Sequence, residues 1–175
     1  GVNRLWSVYY TLGLKTQARD TLALGIERSK TPYYFMSGMG YVELEAGNNP
    51  AALLWYRKAW EATSKPMDRA RWGGSYVRRL VKLAPEDSAE IERASASLLA
   101  DLSSQDRGLE LYNKLITRLG DMLLEWSAAD PERQKVVAAL SQQMAARCAT
   151  LPEEEAPPVA CTNFAKAPDA ETAPG

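Results

Sequence analysis

The chain has 175 residues, 46% hydrophobic and 25% charged, which is an ordinary globular composition with enough apolar material for a real core. It has no histidine and only two cysteines, which removes the commonest general base and transition-metal ligand and excludes a four-cysteine zinc site. No apolar run approaches the ~18 residues of a membrane-spanning helix, and the net charge of −1 divides into a mildly basic body and an acidic end.

That acidic end holds Glu153, Glu154, Glu155, Asp169 and Glu171 against Lys166. The rest is too weakly basic for a nucleic-acid partner, which selects for a strongly basic face. At the other end, Gly1-Val2-Asn3-Arg4 runs straight into Leu5-Trp6 without the charged and apolar stretches of a signal peptide. It reads as a fragment boundary or a processed start, so it does not imply a cytoplasmic home.

Shifted by 34 residues, the sequence meets itself: Gly13 falls on Gly47, Ala18 on Ala52, Gly25 on Ala59 and Pro32 on Pro66, while Leu22 meets Tyr56. Within residues 33–66, helical spacing over Tyr33 to Ala46 ends at Gly47-Asn48-Asn49-Pro50. Leu53, Leu54, Tyr56, Ala59 and Trp60 then resume it. Asn49 is expected as the N-cap, with Pro50 at the first helical position; Thr31-Pro32 and Asp130-Pro131 have the same form.

This unit resembles a tetratricopeptide repeat, whose period is about 34 residues. Gly40, Gly47, Ala52, Tyr56 and Ala59 stand on that family's small and aromatic positions. Gly40 and Ala52 are expected to let paired helices approach, and Tyr56 to fill the space between repeats. Met36 and Glu43 depart from the pattern, standing where the family prefers Trp and an aromatic.

Beyond Pro66 the 34-residue register is lost, but helices continue. Trp72, Tyr76, Leu80 and Leu83 form one stripe, and Gly73-Gly74 within it is expected to permit close packing. Asp87 and Glu90 have capping-box spacing ahead of Ile91, Leu98, Leu99 and Leu102. One continuous amphipathic run is expected from about Gln105 through Leu109, Tyr112, Leu115, Ile116, Leu119, Met122 and Leu123 to Trp126. Val137, Leu140, Met144 and Cys148 share one face of a last helix. No segment alternates like a strand.

The pattern therefore predicts an all-α fold, a tetratricopeptide-like solenoid of antiparallel helix pairs with about seven helices over residues 1–151. Residues 152–175 hold five of the ten prolines and few large apolar side chains, so an extended or disordered tail is expected, anchored at most by Val159, Cys161 and Phe164.

Three groups of residues have chemical potential. Cys148 and Cys161 could form a disulfide pinning the tail to the last helix, worth about 3 kcal/mol for a loop of this length and implying an oxidising compartment. The alternatives are one buried and one exposed thiol, or a cycling redox pair, although no histidine is present to activate a thiolate. The basic cluster Lys65, Arg69, Arg71, Arg78, Arg79 and Lys82, with Asp68, is either a solvated face with arginines laid over aromatics or a site for an acidic partner. The row Tyr34, Ser37, Tyr41, Leu44 and Glu45 falls on one helix face: it either packs on the preceding helix pair or lines a binding surface.

An all-α hydrolase would need two converging carboxylates. Glu43 and Glu45 diverge on a helix, and Glu90, Glu92 and the 153–155 run sit in polar contexts. No phosphate-binding loop or nucleophile motif occurs, so no catalytic residue, cofactor or metal is expected.

Three segments add a further resemblance: Ser29-Lys30-Thr31-Pro32-Tyr33-Tyr34-Phe35-Met36, Arg71-Trp72-Gly73-Gly74-Ser75-Tyr76-Val77-Arg78 and Lys82-Leu83-Ala84-Pro85-Glu86-Asp87. With Cys148 ahead of Leu151-Pro152 and Cys161 beyond, they are similar to the C-terminal helical region of exported thioredoxin-like proteins of Gram-negative bacteria. The resemblance implies a periplasmic setting and a scaffold that recognises a protein, a thioredoxin-like domain or a sister subunit. It carries over no redox cysteine. Tetratricopeptide proteins bind extended peptides on the inner helix face, which here is the Tyr34/Ser37/Tyr41/Glu45 row, with Arg78 and Arg79 supplying charge.

Overall fold

The computed structural model describes residues 4–105, 107–152 and 157–166. The expectations on the chain start and on Glu153, Glu154, Glu155, Asp169 and Glu171 lie outside the described residues. Among the described residues there are ten α-helices and no strand: α1 (Leu5–Thr11), α2 (Lys15–Arg28), α3 (Tyr33–Glu45), α4 (Asn49–Glu61), α5 (Pro66–Leu83), α6 (Ser88–Ser103), α7 (Gly108–Leu111), α8 (Asn113–Ser127), α9 (Pro131–Cys148) and α10 (Val159–Asn163). None of them is long and apolar enough to cross a membrane. The chain divides into two compact units, residues 1–79 and 80–175, with the division inside α5. The sequence pattern suggests instead one helical domain to residue 151 and a separate tail.

In the first unit, α1–α2 and α3–α4 are two hairpins with the same turn. The Gly13 amide donates to Tyr10 O at 3.0 Å and the Leu14 amide to Tyr9 O at 2.9 Å. Thirty-four residues on, Gly47 donates to Leu44 O at 3.0 Å and Asn48 to Glu43 O at 2.9 Å. This paired pattern closes a helix C-terminus through a left-handed residue. Gly13 and Gly47 have φ of 77° and 76°, where a side chain would be strained. Gly47 stands on one of the family's small positions, where packing is expected, but it is exposed and a Cβ there would meet nothing within 4 Å, so its role is the turn.

The pairs of the shift on α2 and α4 also share environments, whereas Pro32 is half-buried and Pro66 exposed. Ala18 and Ala52 are both 0% exposed, as is Ala59; its partner Gly25 is buried, as are Leu22 and Tyr56. Burying side chains the size of Leu22 stabilises by roughly 1.5–3 kcal/mol each. Gly25 lies against the Phe35 ring and Gly38 against Leu22 and Trp6. A Cβ on Gly40 would come 2.9 Å from the Tyr56 ring, so the expected close approach of α3 and α4 is present. Leu22, Phe35 and Val42 form the core of this unit, with Trp6, Tyr10, Ile26 and Met39 packed around it.

The N-cap of α4 is Asn48, not Asn49, and it makes no side-chain capping bond. Its amide group instead donates to Glu43 Oε2 at 3.2 Å. Asp130 does cap α9, with Oδ1 accepting from Glu132 N at 2.9 Å and Arg133 N at 3.2 Å ahead of Pro131.

In the second unit, Asp87 Oδ1 caps α6 by accepting from Glu90 N at 3.2 Å. The core comprises Ile91, Leu98, Leu99 and Leu102 of α6, Ile116, Leu119 and Leu123 of α8, and Val137, Leu140 and Met144 of α9. Polar side chains tie α9 to α6: Gln143 Nε2 donates to Ala96 O at 2.9 Å and Arg147 Nε to Ser103 O at 2.8 Å.

The amphipathic run expected to be continuous from Gln105 is broken. Arg107 adopts φ 53°, α7 lasts four residues, and Tyr112 (φ −103°, ψ 15°) separates it from α8. The Tyr112 hydroxyl donates to Gln105 Oε1 at 3.1 Å, folding the break back on itself.

In the described part of the tail, residues 157–166 hold a helix where an extended or disordered segment is expected. Val159–Asn163 form α10, and the anchors are Ala160 (0% exposed) and Phe164 (8%), while Val159 is 53% exposed. Cys148 and Cys161 are joined by a disulfide with Cα atoms 5.9 Å apart. Gly120 of α8 leaves room for the backbone of Ala165 and the ring of Phe164.

Candidate functional site

The residues singled out on α3 lie in the first unit and diverge along the helix. Tyr34 is half-buried and turned toward α5: its ring meets Trp72 edge-on at 5.5 Å and 84°, with Tyr33 at 5.0 Å. The Arg71 guanidinium lies 5.6 Å from the Tyr34 ring and 5.1 Å from Trp72. Below it, the Tyr33 hydroxyl donates to Asp68 Oδ2 at 3.2 Å. Two turns further along α3, Tyr41 faces α1, with its ring 6.1 Å from Trp6 and 5.7 Å from Tyr10, and it keeps 41% of its surface exposed. Packing on the preceding helix pair therefore describes Tyr41, whereas Tyr34 packs on a following helix.

Between these ends, Ser37 and Leu44 are half-buried and Glu45 is exposed. Arg79 reaches over from α5. Its guanidinium lies 4.1 Å from the Tyr56 ring, and its Nη1 donates to Ser75 Oγ at 2.5 Å and to Ser75 O at 3.3 Å. Burial pushes the Tyr56 phenol above its ordinary value; the Arg79 charge and hydrogen bond oppose this, and Tyr41 and Glu45 add to it. Tyr41, Glu45 and Arg79 thus act on one buried phenol. Arg78 is exposed and does not join this group.

Half of the basic cluster resolves into arginines laid over rings. Besides Arg71 and Arg79, Arg69 lies 5.5 Å from the Trp60 ring and donates to Thr63 O at 3.1 Å. Lys65, Arg78 and Lys82 are exposed. Such stacking is worth about 0.5–1 kcal/mol at exposed sites and more when desolvated, so these arginines stiffen the aromatic surface before they meet any partner.

Glu43 and Glu45 have separate environments. Glu43 is ion-paired with Arg19 at 2.5 Å and its side chain is 13% exposed, whereas Glu45 faces solvent. Among the described residues no three acidic or cysteine side chains group in a way that could hold a metal ion.

Trp6 and Tyr10 belong to this surface and were not picked out by sequence reasoning, while Arg71 was placed only in the basic cluster and Trp72 only in an apolar stripe. The signals available were the four-residue spacing of Trp6 and Tyr10, which puts both rings on one helix face, and the adjacency of Arg71 to Trp72. What the arrangement offers is a partly exposed aromatic row bordered by a carboxylate and guanidinium groups. That suits stacking and hydrogen bonding to another molecule.

Compared with protein-family models, with curated proteins and with solved structures, the chain shows no match. What the fold and site define is an all-α chain whose first unit repeats one helix hairpin and carries an aromatic, arginine-bordered face.

Proposed function

We propose that this chain is a non-catalytic protein-interaction or scaffold domain of tetratricopeptide-like solenoid build, accessory to an exported thioredoxin-like protein of the periplasm. The observation that carries the reading is the correspondence of α1–α2 with α3–α4 at 34 residues, in turn, small buried residues and core positions. A hairpin repeated at that interval buries its apolar face only by stacking on neighbours, which leaves a continuous inner surface for a partner. The partner is an extended segment of a protein, lying along Tyr34, Ser37, Tyr41 and Glu45 with Arg79 at its edge.

The Cys148–Cys161 disulfide supports an oxidising compartment. It also favours the staple over a cycling redox pair, because both cysteines are half-buried and α10 carries its own buried anchors, Ala160 and Phe164. A thioredoxin-like domain or sister subunit is the partner class we favour.

The test is selection of extended peptides from a displayed library against the folded chain. Tyr41→Ala should weaken the selected peptides at least about tenfold, a loss of roughly 1.4 kcal/mol. Peptides that bind Tyr41→Ala and Tyr34→Ala as tightly as the parent would remove the groove. A disulfide reduction potential in the range of exchanging oxidoreductases would move the assignment to thiol-redox chemistry.

A further inference from the structure

Helix α1 is apolar on more than one face. Its sequence, Leu5 to Thr11, contains no charged residue. Trp6 and Tyr10 turn inward onto the Leu22/Phe35/Val42 core. Leu5, Val8 and Leu12 form a second stripe, spread over about 60° of the helix, and are 44%, 51% and 68% exposed. A helix that is hydrophobic around most of its circumference is normally covered, and exposed apolar stripes mark interaction surfaces.

The internal repeat says what covers it. The turns after α1 and α3 are equivalent, so the 34-residue shift superimposes α1 on the C-terminal part of α3. Leu5 then corresponds to Met39 and Val8 to Val42. In α3 these positions face the preceding hairpin: Val42 is 2% exposed within the core formed with Leu22 of α2, and Met39 packs against it with Trp6 and Tyr10 of α1 and Ile26 of α2. Leu5 and Val8 therefore repeat an interface already made once in the molecule, and Leu12, the C-cap of α1, corresponds to the exposed Ala46 and extends the stripe beyond it. We infer that Leu5, Val8 and Leu12 form a docking face for an amphipathic helical hairpin. That hairpin presents aromatic and branched apolar side chains as α1–α2 presents Trp6, Tyr10, Leu22 and Ile26 to α3. The contact is apolar, because α1 offers no charge to pair. This face lies on α1 and is distinct from the Tyr34–Glu45 row, so it stands or falls independently of the groove.

The probe is a labelled peptide spanning residues 4–30 of this chain, titrated into the full chain and followed by fluorescence anisotropy. The same hairpin fused ahead of the full chain removes the cost of forming it in isolation. Saturable binding is expected, weakened at least about tenfold by Leu5→Glu and by Val8→Glu in the full chain, with circular dichroism unchanged. The fused hairpin should raise the melting temperature of the parent and not of the Val8→Glu chain. No binding and no stabilisation in either format overturns the inference. So does equal binding to parent and variants, which would mean that the peptide displaces α1–α2 from α3. Self-association of the parent that the same substitutions abolish would assign the face to a second copy and also overturn it.

Discussion

The Arg79 guanidinium on α5 lies 4.1 Å from the centre of the Tyr56 ring on α4, and the same ring presses on Gly40 of α3, where a Cβ would stand 2.9 Å from it. Three helices thus converge on one phenol ring that is 2% exposed. Because Arg79 holds the ring and Ser75 holds Arg79, the ring has little freedom to yield. Gly40→Leu should therefore destabilise by about 1–3 kcal/mol or more, the range for overpacking a filled site. Urea denaturation would measure it. A loss below about 0.5 kcal/mol would mean that the α3–α4 contact is looser than its geometry.

Two buried phenols make the first unit sensitive to alkali. Burial raises the Tyr33 phenol above its ordinary 10.0, and the Asp68 charge and hydrogen bond raise it further. Burial raises Tyr56 as well, against the opposing Arg79 charge. A phenol whose folded-state value is raised stabilises fully below the unfolded value. That contribution is lost as pH climbs from about 10 through the higher folded values. Melting temperature should fall steeply above about pH 10, and Tyr33→Phe should flatten that limb by removing one of the two groups. An alkaline limb identical in parent and Tyr33→Phe would show that Tyr33 ionises as freely in the fold as outside it.

Much of this arrangement is legible in residue spacing. The 34-residue correspondence rests partly on turn glycines and partly on small residues whose size is dictated by contact, such as the fully buried Ala18 and Ala52, and Gly40 against Tyr56 leaves a mark of the same kind. Periodicity also locates the α3 row, but it cannot say which helix each ring meets: Tyr41 goes to Trp6 and Tyr10, and Tyr34 to Trp72. Two features escape local reasoning because tertiary packing creates them. Residues 157–166 are poor in large apolar side chains, yet α10 forms because the disulfide and the space over Gly120 hold Ala160 and Phe164 in place. The break ahead of α7 follows from the left-handed Arg107, a conformation that an arginine does not advertise, and α7 parts from α8 at Tyr112.

The order of α10 can be separated into its two causes. The disulfide closes a loop with a sequence separation of 13, for which the chain-entropy relation gives about 3 kcal/mol. Cys161→Ser should lose about that much and release α10, raising hydrogen exchange in Val159–Asn163. Phe164→Ala, which keeps the bond, should cost about 3–5 kcal/mol if its packing over Gly120 is complete. Intact α10 protection in Cys161→Ser would make the staple dispensable and leave the helix to its packing alone.

The equivalence of the two hairpins makes a sharper demand, because it concerns two distant residues that must respond alike. Gly13 and Gly47 sit at the same point of the same turn, with φ of 77° and 76°, and a methyl group added at either would have no neighbour within 4 Å. Space is therefore not the constraint at either site, and only backbone strain opposes a side chain. Gly13→Ala and Gly47→Ala should each cost about 1–2 kcal/mol, the left-handed penalty for an L-residue, offset slightly by the stiffer unfolded chain. A D-alanine at either position, introduced by semisynthesis, meets no such strain and should match or exceed the stability of glycine. Unequal losses from the two alanine variants would show that the turns differ in the tension they bear, and the hairpins would then be alike in sequence spacing without being mechanically interchangeable.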